Sequence, residues 1–341
     1  MPLDDLHGDV DGLPSYKSLM NRQDAPPGSS WGLFGTDDQV GTLNFLKLAS
    51  LVDSAAEVRA GTAFSLDVPS DTFASALSPS RKPVQHHIFQ HDPYHRDEWL
   101  DSFYPQYGSQ VDGLRHIGHP DYGFYNGADA GRLVPGDELL SIHHMAALPI
   151  VARGVLLDVD RYLRSQGRPI DQHSSRGVTL QDLENTLESQ GTELRPGDAV
   201  LVRFGWLHWY RTSASPEQKA RLTTEPIHPG LAQSHSILAW LWNHRVSMVA
   251  GDNFALERWP AAADSPFRTR VEQEEALLTP HTGMMHRSMI ALLGMPIGEL
   301  WNLDALGDAC ASARRWTFLL CSAPFALVGG VGSPANAIAV N

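Results

Sequence analysis

Cysteine is scarce in this sequence, with only Cys310 and Cys321 among its 341 residues. Neither belongs to a Cys-x-x-Cys pair, and both lie in a late apolar segment where buried free thiols are expected. The sequence therefore excludes a disulfide-bonded scaffold and a structural zinc cluster built from cysteines.

Positive charge and long apolar runs are also in short supply. Lys and Arg total 26 against 39 Asp and Glu, a formal net charge of −13. Such a surface repels phosphate backbones and anionic lipids, so we expect neither nucleic acid nor membrane as a partner. No run approaches the roughly 18 apolar residues that a spanning helix needs, and the acidic start "MPLDDLHGDVDGLPSYK" lacks a signal peptide's apolar core. We expect a cytoplasmic protein with a small-molecule substrate.

Strand and helix patterns alternate along most of the chain. A hydrophobic share of 42% with nine Trp is typical of a compact globular protein. The segments 150–162, 194–206 and 246–253 carry the apolar runs of strands buried on both faces, whereas 179–191 and 229–245 have helical spacing. With no break in composition, we predict one α/β domain over residues 1–341. Its polar first part, 1–30, is predicted to be an extended arm.

The segment from 71 to 101 is rich in Pro, Ser and His and has no periodicity. We therefore predict a long loop. Its four histidines, His86, His87, His91 and His95, resemble a metal-binding tract in composition. Because no carboxylate geometry accompanies them, solvated or pocket-lining positions are favoured.

The stretch "QYGSQVDGLRHIGH", 106–119, has the composition of a reactive site. In a strand, Gln110 and Asp112 share one face, and Gly113 permits a turn that returns His116 toward them. Oxygen ligands with imidazole suit Zn, Mn or Fe, and a carboxylate beside a histidine suits general base catalysis. Asp-x-x-x-His is also frequent by chance, so a simple hydrogen-bonded turn is the alternative.

A second candidate cluster lies downstream, in "TPHTGMMHRSMIALLGMPIGELWNLDAL". His281 and His286 come at the start of a predicted helix, 286–294, and Glu299 follows a Pro-Ile-Gly turn. A side chain in the first turn of a helix can reach a site in front of it. The alternative is that His286 only caps or packs and that Glu299 is a solvated loop acid.

The first stretch resembles the signature of the cyclase family, metal-dependent hydrolases that include bacterial kynurenine formamidase and isatin hydrolase. The family motif is His-x-Gly-Thr-His-x-Asp-x-Pro-x-His. In this chain the motif positions are Gln106, Gly108, Ser109, Gln110, Asp112, Leu114 and His116. Glutamines thus replace both early histidines, and leucine replaces the proline.

Several other segments resemble the longer branch of this family. They are "WGLFGTDDQVGTLNFL", "FYNG", "VARGVLLDV", "LRPGDAVLVRFGW", "AGDNFALERWP", "MPIGELWNLDAL" and "GGVGSPANAIAV". The resemblance implies a compact α/β fold around a small barrel-like mixed sheet, assembled as a homodimer or homotetramer.

The resemblance also implies roles for individual residues in a hydrolase of amide, lactam, lactone or ester bonds. Asp112, His286 and Glu299 would bind a divalent metal ion, Zn or Mn, with Gln110 as a weaker ligand through its amide oxygen. His116 would transfer protons. Because two imidazoles of the motif are lost, a single ion is expected and not a pair.

Further residues complete the predicted pocket, and some alternatives stay open. The predicted pocket residues are Gln106, Ser109, His119, Tyr125 and Asp252. His119, His143 or His144 could replace a missing ligand. The alternative function is a metal-free cyclase or dehydratase that uses His116 and Asp112, or a small-molecule-binding protein that has lost catalysis.

Overall fold

A computed structural model describes residues 12–341 of the protein, so the first part of the predicted arm lies outside the described residues. Residues 12–30 include a short helix, α1 (Tyr16–Met20), whose Tyr16 and Leu19 are buried. The backbone N–H of Tyr16 donates to Asn243 Oδ1 at 2.9 Å. This part of the arm is thus a packed helix and not only extended chain.

The main sheet is mixed, has nine strands and curls around the site described below. In spatial order its strands, numbered along the chain, are β1 (Ala63–Ser65), β13 (Ala337–Val340), β11 (Thr317–Ser322), β5 (Ile150–Leu157), β7 (Ala199–Val202), β9 (Met248–Gly251), β10 (Ile297–Glu299), β4 (Gln110–Asp112) and β12 (Gly332–Pro334).

The four central strands β5, β7, β9 and β10 run parallel, and the flanking strands pair antiparallel. All residues of β7 and β9 are buried, as expected for parallel strands covered on both faces. The buried strands predicted within 150–162, 194–206 and 246–253 are confirmed. So is the α/β fold around a barrel-like mixed sheet.

Helices connect and cover these strands. The remaining helices are α2 (Leu51–Ala55), α3 (His143–Ala147), α4 (Val159–Ser165), α5 (Leu180–Gln190), α6 (Trp206–Thr212), α7 (Pro216–Arg221), α8 (His235–Asn243), α9 (Arg270–Gln273) and α10 (Asp304–Ala313). Short 3-10 turns cover Gly41–Leu48, Pro105–Tyr107, Tyr125–Gly127 and Ala130–Arg132. None of the helices in the described part of the chain combines the length and apolar content needed to cross a bilayer.

Helix α5 begins and ends where its sequence signals predict. The Thr179 hydroxyl accepts from the backbone N–H of Asp182, and the Asp182 carboxylate accepts from the backbone N–H of Thr179. Gly191 follows the helix with a φ of 59°, a left-handed conformation that favours glycine. These local contacts satisfy N–H groups at the start of the helix and carbonyls at its end.

The long loop predicted for 71–101 is wrong in its second half. There the chain forms an antiparallel hairpin of β2 (Gln85–Asp92) and β3 (His95–Asp101). The residues of both strands are almost all exposed, so the apolar alternation that identifies a half-buried strand is missing from the sequence. Two further short strands, β6 (Gly177–Val178) and β8 (Gly230–Leu231), pair in parallel.

The helix predicted for 286–294 forms as a buried π-helical turn, Ser288–Leu292. An ion pair anchors its start, because Arg287 Nη1 donates to Glu272 Oε1 at 2.7 Å and both side chains are buried. Burial alone would raise the pKa of the Glu272 carboxyl, but the hydrogen bonds and charge of Arg287 hold it at about 2.

We predict that Glu272→Gln lowers the free energy of unfolding by about 3 kcal/mol at pH 7, because it leaves a buried guanidinium unpaired. The folded pKa of Glu272 is depressed, so its contribution is full above the unfolded value of 4.5 and is lost as pH falls toward about 2. Urea unfolding from pH 7 down to pH 3 should therefore show the variant and wild type converging.

Glu274→Gln is the matched control, because Glu274 forms an exposed ion pair with Arg270 next to α9. Its effect should stay below about 0.5 kcal/mol. A difference between wild type and Glu272→Gln that does not shrink with acid would contradict the assigned role of the ion pair.

Candidate active site

The pairing of β4 with β10 places three polar side chains on one buried face. In this antiparallel pair Gln110 lies opposite Glu299, and Asp112 follows Gln110 on the same face. Trp301 secures the strand by donating its indole N–H to the Gln110 carbonyl at 2.8 Å. Gly298 has no room for a side chain, since a Cβ there would lie 2.5 Å from that of Ala250.

The two carboxylates are held together by an amide. Gln110 Nε2 donates to Glu299 Oε2 at 2.8 Å and approaches Asp112 Oδ2 at 3.4 Å. Burial raises the pKa of both carboxyls, and the negative charge of Asp112 raises that of Glu299 further. The pair therefore favours a bound proton or a nearby cation.

His116 approaches Asp112 from the turn that follows β4. Its Nε2 lies 3.8 Å from Asp112 Oδ1, and its backbone N–H donates to the Gly113 carbonyl. A Cβ on Gly113 would lie 3.1 Å from the Val331 carbonyl oxygen, so this glycine permits close chain approach. Burial lowers the pKa of His116 to about 4. The imidazole is therefore neutral at pH 7 and can accept a proton.

Glu257 orients His286. Its carboxylate accepts four hydrogen bonds, from the backbone N–H groups of Met285 and His286, from His286 Nδ1 at 2.8 Å and from Gln233 Nε2 at 2.6 Å. An ionised carboxylate only accepts, so this network assigns the imidazole proton to Nδ1. The lone pair of Nε2 is thus left for the cavity that His286 lines.

A strained turn positions Glu257 and a further backbone hydrogen-bond donor at the site. Ala255 and Leu256 have φ values of 66° and 61°, which non-glycine residues rarely adopt. The backbone of Ala255 hydrogen-bonds to Glu299, which opposes the rise in its pKa caused by burial. One of the two strained residues, Ala255, thus contacts the site directly, and the other, Leu256, connects it to Glu257.

Part of this group lines a cavity of about 500 Å³, whereas Gln110 and Glu257 are not among its lining residues. The predicted residues that line it are Asp112, His116, His286 and Glu299. Phe254, Trp259 and His281 form an aromatic wall, with the rings of Trp259 and His281 6.1 Å apart. Burial lowers the pKa of His281 to about 3, so it too is neutral at pH 7.

Sequence reasoning missed three contributors to this site. Arg81 lines the cavity from the segment predicted to be a loop, where no pattern marked it. Trp259 belongs to "AGDNFALERWP", a segment whose resemblance to the family assigns this residue no role. Glu257 contacts His286 through a turn that has no sequence signature.

Several predicted pocket residues lie elsewhere. Ser109 donates to the Leu300 carbonyl and lines a separate cavity of about 100 Å³. Tyr125 is buried in the core and donates to Asp38. Asp252 accepts from the backbone N–H groups of Phe204 and Gly205.

Two more predicted pocket residues are also outside the lining. Gln106 is buried beside Gly332 of β12, which pairs with Asp112 of β4. The Gln106 side chain is not among those that line the cavity. His119 closes a local turn with Gly123 and packs on Tyr122. A local turn thus holds the His119 ring away from the cavity, whereas Gln106 stays close enough to Asp112 to oppose the rise of its pKa caused by burial.

None of the histidines considered as replacement ligands reaches the described lining of the cavity. The rings of His143 and His144 contact each other in α3, tilted by 38°. In the hairpin, His91, His95 and Asp97 bring three potential ligand atoms within 4.8 Å of one another, but all three residues are exposed. A carboxylate that the sequence could not place, that of Asp97, thus lies beside two of these histidines on the hairpin surface.

By donor type, the cavity fits one divalent ion. Asp112 Oδ1 and Gln110 Oε1 are buried without a hydrogen-bond partner among the described residues, and His286 presents Nε2. The orientation of His286 by a carboxylate is also typical of metal-binding histidines. In residues 12–341, however, only the hairpin cluster gathers three His, Cys, Asp or Glu ligands within 4.8 Å, so the cavity donors are more widely spaced.

We predict that Glu257→Gln moves the His286 proton from Nδ1 to Nε2 in part of the molecules, because the amide offers both donor and acceptor. Loss of charged hydrogen bonds should also cost about 2–3 kcal/mol of stability. Imidazole ¹⁵N shifts measure the tautomer. Asp252→Asn is the control, because Asp252 is another buried acid that accepts from backbone N–H groups. It should destabilise the protein without changing the His286 tautomer. An unchanged tautomer in Glu257→Gln would refute the orienting role.

Known proteins share the family and the fold of this chain. The Cyclase family model matches residues 68–258, which include β4, His116 and Glu257 and end before His286. No curated protein sequence matches the chain. A crystal structure of a novel cyclase is 28% identical with a TM-score of 0.77, over 92% of this chain and 99% of that one.

Isatin hydrolases share the fold at lower identity. One, bound to the product analogue thioisatinate, is 18% identical with a TM-score of 0.52, over 83% of this chain and 92% of its own. Isatin hydrolase A from Ralstonia solanacearum is 18% identical with a TM-score of 0.54, over 82% and 91%. Because the family model matches more than half of the chain, the protein belongs to the cyclase family.

Proposed function

We propose that the protein is a metal-dependent hydrolase that cleaves an amide, lactam, lactone or ester bond of a small substrate in the 500 Å³ cavity. The observation that carries the proposal is a neutral His116 beside buried Asp112, in the same cavity as the free Nε2 of His286. Membership of the cyclase family and the fold shared with isatin hydrolases support it.

Asp112, His286 and Glu299 are the proposed ligands of one ion, Zn or Mn, and Gln110 would add its amide oxygen after rotation of the side chain. When bound, such an ion lowers the pKa of a coordinated water from 15.7 toward about 7 and polarises a carbonyl. The buried, mutually repelling carboxylates would be stabilised by that positive charge. The two glutamines in the motif favour one ion and not two.

His116 moves the proton in the proposed reaction. It accepts the proton of the attacking water while the water oxygen bonds to the carbonyl carbon. It then donates that proton to the leaving nitrogen or oxygen as the bond to the acyl carbon breaks. Asp112, 3.8 Å from His116 Nε2, stabilises the transient imidazolium. Trp259 and Phe254 supply an apolar wall that suits a flat substrate.

One observation favours a second candidate, a metal-free cyclase or dehydratase, or a binding protein without catalysis. Gln110 already bridges Asp112 and Glu299, so the carboxylates have a neutral partner without a cation. In that case His116 and Asp112 would act alone. Metal content separates the two candidates.

The cytoplasmic location, the small-molecule partner and the homodimer or homotetramer are also part of the proposal. Three large apolar side chains support an assembly because they are 49–63% exposed: Ile88 and Leu100 on the hairpin, and Leu327 before β12. Sedimentation analysis would measure the assembly directly.

We predict that His116→Ala lowers the turnover number about 10²–10⁴-fold on a panel of an aryl ester, a lactone, isatin and an N-formyl amide. His119→Ala is the matched control and should keep turnover, because its ring lies outside the described cavity lining. Equal losses in both variants would refute the role of His116, and no hydrolysis by wild type would refute the proposed function.

We also predict near-stoichiometric Zn or Mn in protein purified without added metal, measured by elemental analysis. Asp112→Ala and His286→Ala should lose the ion, whereas His116→Ala should retain it while losing turnover. Loss of metal in His116→Ala would show that His116 is a metal ligand and contradict its proposed role in proton transfer. A wild-type protein free of metal, with activity unchanged by chelator, would favour the second candidate.

A further inference from the structure

The cavity contains one fixed positive charge among its described lining residues. Arg81 is the only lysine or arginine there, and it is half-buried on the segment before β2. Across residues 12–341 no carboxylate oxygen is paired with Arg81 within 4.0 Å, although most arginines with buried side chains in this protein have such a partner. An unpaired guanidinium in a cavity is a binding group for an anion.

Two contacts hold the guanidinium in place. Nη1 donates to the backbone carbonyl of Gln106, the residue that opens the family motif. The guanidinium carbon also lies 5.6 Å from the ring centroid of Phe254, within the range of a cation–π contact. In the described part of the chain this is the only hydrogen bond that the Arg81 guanidinium makes, so most of its five N–H groups remain available.

The charge of Arg81 reaches the reacting residues. It acts to lower the pKa of Asp112 and Glu299, and also that of His116 and His281, although burial is the larger influence on each. Arg81 is therefore close enough to act on a substrate bound in the cavity, and its guanidinium forms no short ion pair with a carboxylate.

We propose that Arg81 is the carboxylate-binding residue of this cavity, where it holds the carboxylate that hydrolysis forms on the acyl group. This deepens the proposed function, because hydrolysis of an amide, lactam, lactone or ester yields a carboxylate. The planar guanidinium offers two parallel N–H groups, which match the two oxygens of that product. The aromatic wall beside it, Phe254 and Trp259, would contact the apolar part of the acyl group.

The competing role for Arg81 is compensation of the charges of Asp112 and Glu299 alone. The two roles differ in one property. A carboxylate-binding residue discriminates an anionic ligand from a neutral one of the same shape, whereas a charge-compensating residue does not. Benzoate and benzamide form such a pair and fit the aromatic wall.

The experiment is calorimetric titration of both probes into the full chain at pH 7.5, with chelator present throughout so that no metal ion contributes. Wild type should bind benzoate about 10–100-fold more tightly than benzamide, the size of a charged hydrogen-bond pair. Arg81→Gln should lose that preference. Arg81→Lys should keep only part of the preference for benzoate, because an ammonium supplies charge without the two parallel N–H groups of a guanidinium.

Lys82→Gln is the matched control, since it removes one positive charge from an exposed neighbour outside the described cavity lining. It should leave the benzoate preference unchanged. Thermal unfolding of each variant checks that the fold is retained, and Arg81→Lys keeps the test informative should Arg81→Gln unfold.

The proposal is overturned by any of three results: no benzoate binding by wild type, equal binding of benzoate and benzamide, or a preference that persists in Arg81→Gln. Failure of the proposed function has a different signature. Wild type would then prefer benzoate through Arg81 and yet hydrolyse none of the four substrate classes in the panel.

Discussion

The antiparallel pairing of β4 with β10 is the constraint on which the rest of the site depends. It brings Gln110 opposite Glu299 and leaves Asp112 on the same buried face. A shift of one residue would turn all these side chains to the other face of the sheet. The Trp301 indole bonded to the Gln110 carbonyl and the absence of a side chain at Gly298 both oppose such a shift.

Burying two carboxylates on one face has an electrostatic cost that the surrounding residues must offset. Gln110 bridges the carboxylates, the Ala255 backbone contacts Glu299, and Arg81 supplies positive charge from the cavity wall. The turn that delivers Ala255 is strained, and it also delivers Glu257 to His286. Strain in the backbone and burial of charge therefore coincide at the residues proposed to bind and activate the substrate.

Part of the site could be predicted because its residues belong to recognisable local patterns. Asp112 and His116 occupy matching motif positions, and His286 and Glu299 follow from segments that resemble the family; the structure brings all four to one cavity. Arg81 could not be predicted, because it lies in an aperiodic segment. The hairpin β2–β3 was missed for a related reason: with both faces in solvent, its strands carry no apolar alternation.

The sequence by itself determined the α/β class, the central buried strands, the caps of α5 and the four residues that meet at the cavity, because each depends on local periodicity or a short motif. Only the tertiary structure decided which polar side chains face the cavity. Ser109, Tyr125 and Asp252 are turned away by hydrogen bonds to distant segments. Arg81 and Trp259 line the cavity instead, and Glu257 contacts His286. The physical reason is that a buried polar side chain points toward its hydrogen-bond partner. Chain packing brings that partner from a segment far away in the sequence.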